Sequence, residues 1–242
     1  MKTLWMQTSW IFLAIGMVSF LAAEDAPKPI KISLIGDSTV ATYTKRPEDR
    51  PDLTGWGQVF GEQFTDRVTV LNHAMSGRSS KSFRRENRWQ PVLDAKPDYV
   101  FIQFGHNDQK KEGDRYADPE TDFRDQMKQY IAETRAIGAT PVLVTPVARR
   151  TFADGKATTT LTPYADAMHA VGKETKTPVI DLHKVSLALY DKLGDEASAD
   201  LTFGNADRTH FTHKGAVTMA EFVADGVREQ IPELRVYLKQ KP

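Results

Sequence analysis

Lys31-Ile-Ser-Leu-Ile-Gly36-Asp37-Ser38-Thr39 sets the reading of the rest of the chain. A short apolar run that ends in a glycine and a cluster of polar residues reads as a buried strand delivering side chains past its C-terminal end. Four further runs have the same character: Val68-Thr-Val-Leu-Asn72, Asp98-Tyr-Val-Phe-Ile-Gln-Phe104, Thr140-Pro-Val-Leu-Val-Thr145 and Pro178-Val-Ile-Asp181. Between them apolar residues return at helical spacing. They do so at Trp56, Val59, Phe60 and Phe64; at Phe123, Met127, Tyr130, Ile131 and Thr134 up to Gly138; at Tyr164, Met168 and Val171; and at Ala216, Met219, Phe222, Val223 and Val227. Strands alternating with helices predict an α/β fold with one mostly parallel sheet covered on both faces. Residues 39–55, 106–117, 148–160 and 195–212 read as loops, and three of these follow strand ends directly, where open α/β sheets place their ligands.

The 242 residues suit one generous α/β domain over residues 30–242. Lys plus Arg and Asp plus Glu are both 32, so no overall basic field recommends nucleic acid or an anionic membrane as partner. Residues 1–23 read as a signal peptide: Lys2 supplies the positive start, Trp10 to Ala23 is apolar apart from Ser19, and Ala22-Ala23 precede Glu24. The run is short for a membrane span, although an uncleaved anchor is the alternative reading. Residues 24–29 read as a short linker. The expected location is therefore secreted or periplasmic, with no stable membrane insertion after cleavage. The chain has no cysteine, which excludes disulfides, thiolate metal sites and a cysteine nucleophile.

Several familiar chemistries find no support. There is no G-x-S-x-G elbow, Gly55-Trp-Gly57 lacks a third glycine at dinucleotide-binding spacing, and no Walker A, H-E-x-x-H or EF-hand pattern occurs. His210-Phe-Thr-His213 lacks a nearby third ligand, so neither metal nor cofactor is expected.

What remains is four short segments. They are Gly36-Asp-Ser-Thr39 beyond the first strand, Ala74-Met-Ser-Gly-Arg-Ser79 beyond the second, Gly105-His-Asn-Asp108 beyond the third, and Asp207-Arg-Thr-His-Phe211 followed by Lys214-Gly215 before the last helix. Each alone is an ordinary polar turn. In this order they resemble the GDSL, or SGNH, hydrolases, and most closely their rhamnogalacturonan acetylesterase branch. The resemblance covers nearly the whole chain after residue 23. It implies a flavodoxin-like three-layer α/β/α sandwich with a five-stranded sheet, no metal, and removal of acetyl groups from plant cell-wall polysaccharide.

The chemistry can be read from the residues as well. A serine hydroxyl is a poor nucleophile at neutral pH and needs an imidazole to take its proton, which assigns Ser38 and His210 as a pair. Asp207, three residues before His210, would orient the ring from one turn-like loop. The backbone N–H groups of Ser38 and Gly77 and the amide of Asn107 would stabilise the tetrahedral oxyanion. His73, His106, His169 and His183 read as structural or surface residues.

Arg78, Arg84 and Arg85 are candidate contacts for an acidic polysaccharide, within a basic group that includes Lys81, Lys110, Lys111, Arg115, Arg149 and Arg150. Phe83, Trp89 and Tyr116 would stack on sugar rings. The opposing reading pairs these cations with Glu86, Glu112, Asp114 and Asp118 on the surface. Other substrates left open are acetylated xylan, small acetylated sugars and lysophospholipid-type esters, and a non-catalytic carbohydrate-binding protein is the alternative outside the enzymes. The sequence assigns no oligomeric state.

Overall fold

The structure, a computed structural model, describes residues 27–240, so the expected signal peptide and residues 24–26 of the expected linker lie outside the described residues. In chain order the elements are β1 (Ile30–Gly36), α1 (Trp56–Val59), β2 (Val68–Asn72), α2 (Ser80–Arg85), α3 (Gln90–Asp94), β3 (Tyr99–Gln103), α4 (Asp122–Ala136) and β4 (Thr140–Val144). They continue with β5 (Thr151–Ala153), β6 (Lys156–Thr158), α5 (Thr162–Thr175), β7 (Val179–Ile180), α6 (Leu182–Ala197), β8 (Thr202–Phe203), β9 (Asp207–Phe211) and α7 (His213–Gln230).

The five expected strands form one parallel sheet in the order β2-β1-β3-β4-β7. Counting only the strands of this sheet, the order is 2-1-3-4-5, the flavodoxin-like arrangement whose switch point falls between β1 and β3. Alternation along the strands divides the core in two. Ile32, Leu34, Phe101, Val142, Val144 and Ile180 pack with α1, α6 and α7, while Ile35, Val100, Ile102 and Leu143 pack with α2 to α5. The molecule is thus a three-layer α/β/α sandwich.

The structure departs from the sequence expectations in three places. The helix expected over Trp56–Phe64 is a single α-turn, α1, running into a 3₁₀ turn at Phe60–Gln63. Gly61 weakens a continued helix, and Phe64 leaves it to bridge Leu238. The segment 148–160, expected as loop, contains the antiparallel hairpin β5–β6, turned by Asp154 and Gly155, both at positive φ. The segment 195–212 contains a second hairpin, β8–β9, so Asp207 and His210 stand on a strand and not on a free loop. Among the described residues no helix is long and apolar enough to cross a membrane.

Candidate active site

Because β1 lies between β2 and β3, the chain leaving each of these strands emerges at the same edge of the sheet. Gly36, the last residue of β1, is crowded enough that a Cβ would sit 2.6 Å from Val40 Cγ2 and 2.8 Å from the Gln103 oxygen. Only glycine lets the chain turn there and present Ser38. The turn is fixed from below by a buried polar chain: Trp56 Nε1 donates to Gln103 Oε1 (3.0 Å), Gln103 Nε2 donates to Thr39 Oγ1 (2.7 Å), and Thr39 Oγ1 and N donate to Asp37 Oδ1 (2.8 and 2.9 Å). From above, Tyr43 Oη donates to the Ser38 carbonyl (2.8 Å).

Ser38 Oγ lies 2.8 Å from His210 Nε2, and His210 Nδ1 lies 2.7 Å from Asp207 Oδ2. Two residues three apart on a regular strand would face opposite ways. Here Phe203 pairs with Asp207 while Thr202 pairs with Phe211, so residues 208–210 bulge out of the ladder. The bulge aims both side chains into one space. Asp207 Oδ1 holds it closed by accepting from the N–H groups of Thr209 (2.9 Å) and His210 (3.0 Å). Burial works to raise the Asp207 carboxyl, but these backbone donors and the His210 ring hold it below the usual carboxylate value.

Gly77 has φ +81° and sits in open space, so its glycine is required by conformation and not by crowding. Neither the Ser38 nor the Gly77 backbone N–H bonds to a group among the described residues. Asn107, 3% exposed, donates one amide hydrogen to the Arg78 carbonyl (3.1 Å) and keeps the other available. Asp108 ties the same two loops together: Oδ1 accepts from Ser80 N (2.9 Å) and Oγ (2.5 Å), and Oδ2 accepts from Gly105 N (3.0 Å).

His106, expected as structural or surface, is buried beneath the site with Nδ1 3.3 Å from Asp37 Oδ2. Burial pushes the ring below its ordinary value, against the Asp37 carboxylate beside it. Burial would raise the Asp37 carboxyl, yet His106 and the Thr39 donors hold it below its ordinary value.

The cleft that contains His210, of about 290 Å³, is lined by Tyr43, Lys45, Pro47, Arg50, Leu53 and Ser76. The cations expected to meet substrate stand elsewhere or are engaged. Arg78 pairs with Glu86 (2.9 Å) and donates to the Ser76 carbonyl. Arg84 pairs with Glu133 (2.8 Å) and lies 4.2 Å over the Tyr130 ring, and Arg85 pairs with Asp114 (2.7 Å). Arg84 and Arg85 line a separate depression with Lys81, Gly113, Asp114, Tyr116 and Gln126. Arg150 is fully buried, held by Thr202 Oγ1, the Gly204 carbonyl and Asp195, and braces the β8–β9 hairpin. Phe83 and Trp89 are core residues and offer no ring to a sugar.

What the sequence reading overlooked is Arg50, whose Nη1 donates to Asp207 Oδ2 at 2.8 Å. Its only signal was a place in the long loop after β1. Among the described residues no three His, Asp or Glu side chains gather as a metal site would need.

Three loops and a hairpin converging at the switch point of a flavodoxin-like sheet, with a serine, an imidazole and a carboxylate in hydrogen-bonded series, define a class of hydrolase fold. Residues 34–217 match the GDSL-like lipase/acylhydrolase family, and this chain belongs to it. It is 42% identical over 217 residues to rhamnogalacturonan acetylesterase RhgT of Bacillus subtilis (strain 168), covering 84% of this chain and 91% of that protein. Among solved structures it resembles YxiM of Bacillus subtilis, with TM-score 0.69 and 26% identity over 84% of this chain and 57% of that one. It also resembles a catalytic mutant of the acetylxylan esterase Axe2 of Geobacillus stearothermophilus, with TM-score 0.62 and 20% identity over 84% and 95% of the two chains.

Burial pushes the Asp108 carboxyl up to about 7, against the Ser80 and Gly105 donors. A group raised in the folded state stabilises fully below its unfolded value, and this contribution is lost as pH rises through the folded one. The unfolding free energy of the wild type, minus that of Asp108→Asn, should therefore fall between about pH 4 and about pH 7 and level off above. Urea titrations across that range measure it, and a flat difference would assign Asp108 an ordinary value.

Proposed function

We propose that this chain is a serine acetylesterase that removes O-acetyl groups from plant cell-wall polysaccharide, with acetylated rhamnogalacturonan as its substrate. The observation that carries the reading is the series Ser38 Oγ, His210 Nε2, His210 Nδ1 and Asp207 Oδ2, closed by contacts of 2.8 and 2.7 Å. In the proposed reaction Ser38 Oγ attacks the acetyl carbonyl carbon while its proton passes to His210 Nε2. The carbonyl oxygen becomes an oxyanion facing the Ser38 and Gly77 N–H groups and the Asn107 amide. Collapse breaks the bond to the sugar oxygen, which leaves with the proton from His210. Water, deprotonated by the same imidazole, then attacks the acetyl-Ser38 carbonyl, releasing acetate and restoring the hydroxyl. Asp207 stays ionised and stabilises the imidazolium that forms twice in each cycle.

A cleft of about 290 Å³ beside His210 suits an acetyl group and a sugar ring, and lacks the long apolar slot that a fatty acyl chain needs. The identity to RhgT supports the acidic pectin. The pairing of Arg78, Arg84 and Arg85 with Glu86, Glu133 and Asp114 favours a second reading, acetylated neutral sugars.

Ser38→Ala and His210→Ala should each lower kcat by about 10⁴-fold or more, and the double variant should be little worse than either. Asn107→Ala should lower kcat by about 10²–10³-fold with KM little changed. Steady-state hydrolysis of nitrophenyl acetate reads all of these, and a folded Ser38→Ala enzyme with normal turnover would end the serine mechanism.

Acetate release at low salt should be faster from acetylated rhamnogalacturonan than from acetylxylan. The margin should narrow as salt is raised, because the Debye length falls from about 10 Å at 0.1 M to about 3 Å at 1 M. Equal kcat/KM on the two polymers would assign the neutral-sugar reading instead.

Export, with the protein secreted or periplasmic, belongs to the same proposal and rests on the pattern of residues 1–23. Expressed in a bacterium, the mature protein should begin near Glu24 on intact-mass measurement, and retention of the full chain in the cytoplasm would refute export.

A further inference from the structure

The geometry points to Arg50 as a positioning residue that acts through Asp207 on the His210 ring, an inference that rests on the Ser38–His210–Asp207 reading above. Among the described residues the Asp207 carboxylate has four donors. Oδ1 takes the Thr209 and His210 backbone N–H groups, whereas Oδ2 takes His210 Nδ1 at 2.7 Å and Arg50 Nη1 at 2.8 Å. Three of the four belong to β9 itself, so Arg50 is the one donor that ties the carboxylate to another part of the fold. The imidazole changes its charge during every turnover, whereas a guanidinium does not, so Arg50 is the constant partner of Oδ2. A fixed positive charge on that oxygen also lowers its proton affinity, which keeps the shared proton on Nδ1 and leaves Nε2 as the base facing Ser38.

The loop that carries Arg50 is braced for this task. Tyr43 Oη bonds the Ser38 carbonyl, Arg46 Nε bonds the Leu53 carbonyl (2.9 Å), and Thr54 N bonds the Phe211 carbonyl (3.1 Å), one residue beyond His210. Arg50 also stands between two spaces. It lines the cleft of His210, and it lines a second depression of about 430 Å³ with Asp49, Phe203, Ala206 and Asp207. Its side chain therefore separates the catalytic cleft from a water-accessible flank of Asp207. Other charges stand near without replacing it. Asp49 Oδ2 is 3.7 Å from Arg50 Nε, Lys45 is on the cleft wall, Arg149 reaches Thr209 Oγ1 (2.7 Å), and Asp37 with His106 lies beneath.

The test compares Arg50→Ala, Arg50→Gln and Arg50→Lys in the otherwise intact protein, using nitrophenyl acetate, a substrate too small to depend on sugar contacts, beside the acetylated saccharide. Arg50→Ala should lower kcat on nitrophenyl acetate by up to about 10²-fold with KM nearly unchanged, the scale of a small misplacement at a reacting centre. Arg50→Lys should recover most of the loss, and Arg50→Gln should fall between them. The low-field proton NMR signal of the His210 Nδ1–H should weaken or move upfield in Arg50→Ala and persist in Arg50→Lys.

Full activity of Arg50→Ala on nitrophenyl acetate would overturn the inference, whether or not KM for the saccharide rises, because Arg50 would then be a surface pair or a substrate contact. Equal losses in the Lys and Ala variants, accompanied by equal drops in melting temperature, would also overturn it. If Arg50→Ala does not fold, wild-type kcat in folded Arg50→Gln does the same. Ser38→Ala is run in parallel. Activity remaining there refutes the serine mechanism, whereas its loss beside an unimpaired Arg50→Ala refutes only the role of Arg50.

Discussion

Backbone pairing of β1 to two neighbours at once, β2 on one side and β3 on the other, places the Ser38, Gly77 and Asn107 side of the site. The register sets Leu34 opposite Asn72 and Gly36 opposite Gln103, so the chain leaves these strands within one crevice. A serine, a glycine and an asparagine that are far apart in sequence then need only short turns to converge. A shift of one residue in β1 would carry Leu34 and Ile35 to the wrong layers, and two separate cores oppose it. The hydrophobic interior that stabilises the sheet is thus also what holds the turns of Ser38, Gly77 and Asn107 in register.

Beneath the crevice, polar contacts replace apolar ones. Thr39 accepts from Gln103 and donates to Asp37, Gln103 accepts from Trp56, and Asp108 gathers Ser80 and Gly105. Buried groups satisfied in series in this way leave few alternative arrangements for the turns they support. The carboxylates divide the work. Asp37 secures the turn of the serine, Asp108 the loops that carry Gly77 and Asn107, and Asp207 the imidazole.

The central strands were legible because a parallel strand covered on both faces must be apolar along its whole length, as Val100 to Ile102 and Val142 to Val144 are. The four motif segments were legible because each sits just past such a strand or just before the last helix. The hairpins were harder to read. Thr151–Ala153 and Lys156–Thr158 are too short and polar to show a period, although Asp154-Gly155 was a turn signal that could have disclosed one of them. The partners of the cations were hidden for a different reason. Arg84 and Arg85 stand close in sequence to Gly77, but their partners Glu133 and Asp114 come from distant segments, and Arg50 meets Asp207 across 157 positions. Which charge a residue faces is a tertiary property that sequence spacing does not carry.

The span between Ser38 and His210 has a consequence for how the protein matures. Their contact joins positions 172 residues apart, and the hairpin that bears His210 is among the last pieces of the chain to be made. Such non-local pairing comes late on a folding route, after the cost of closing the long loop has been met. In the proposed mechanism a nascent or partly folded chain would therefore carry its serine without a base, and would be inert toward esters. Hydrolysis would begin only when the β8–β9 hairpin brings His210 to Ser38, so the appearance of turnover during refolding would mark the docking of that hairpin.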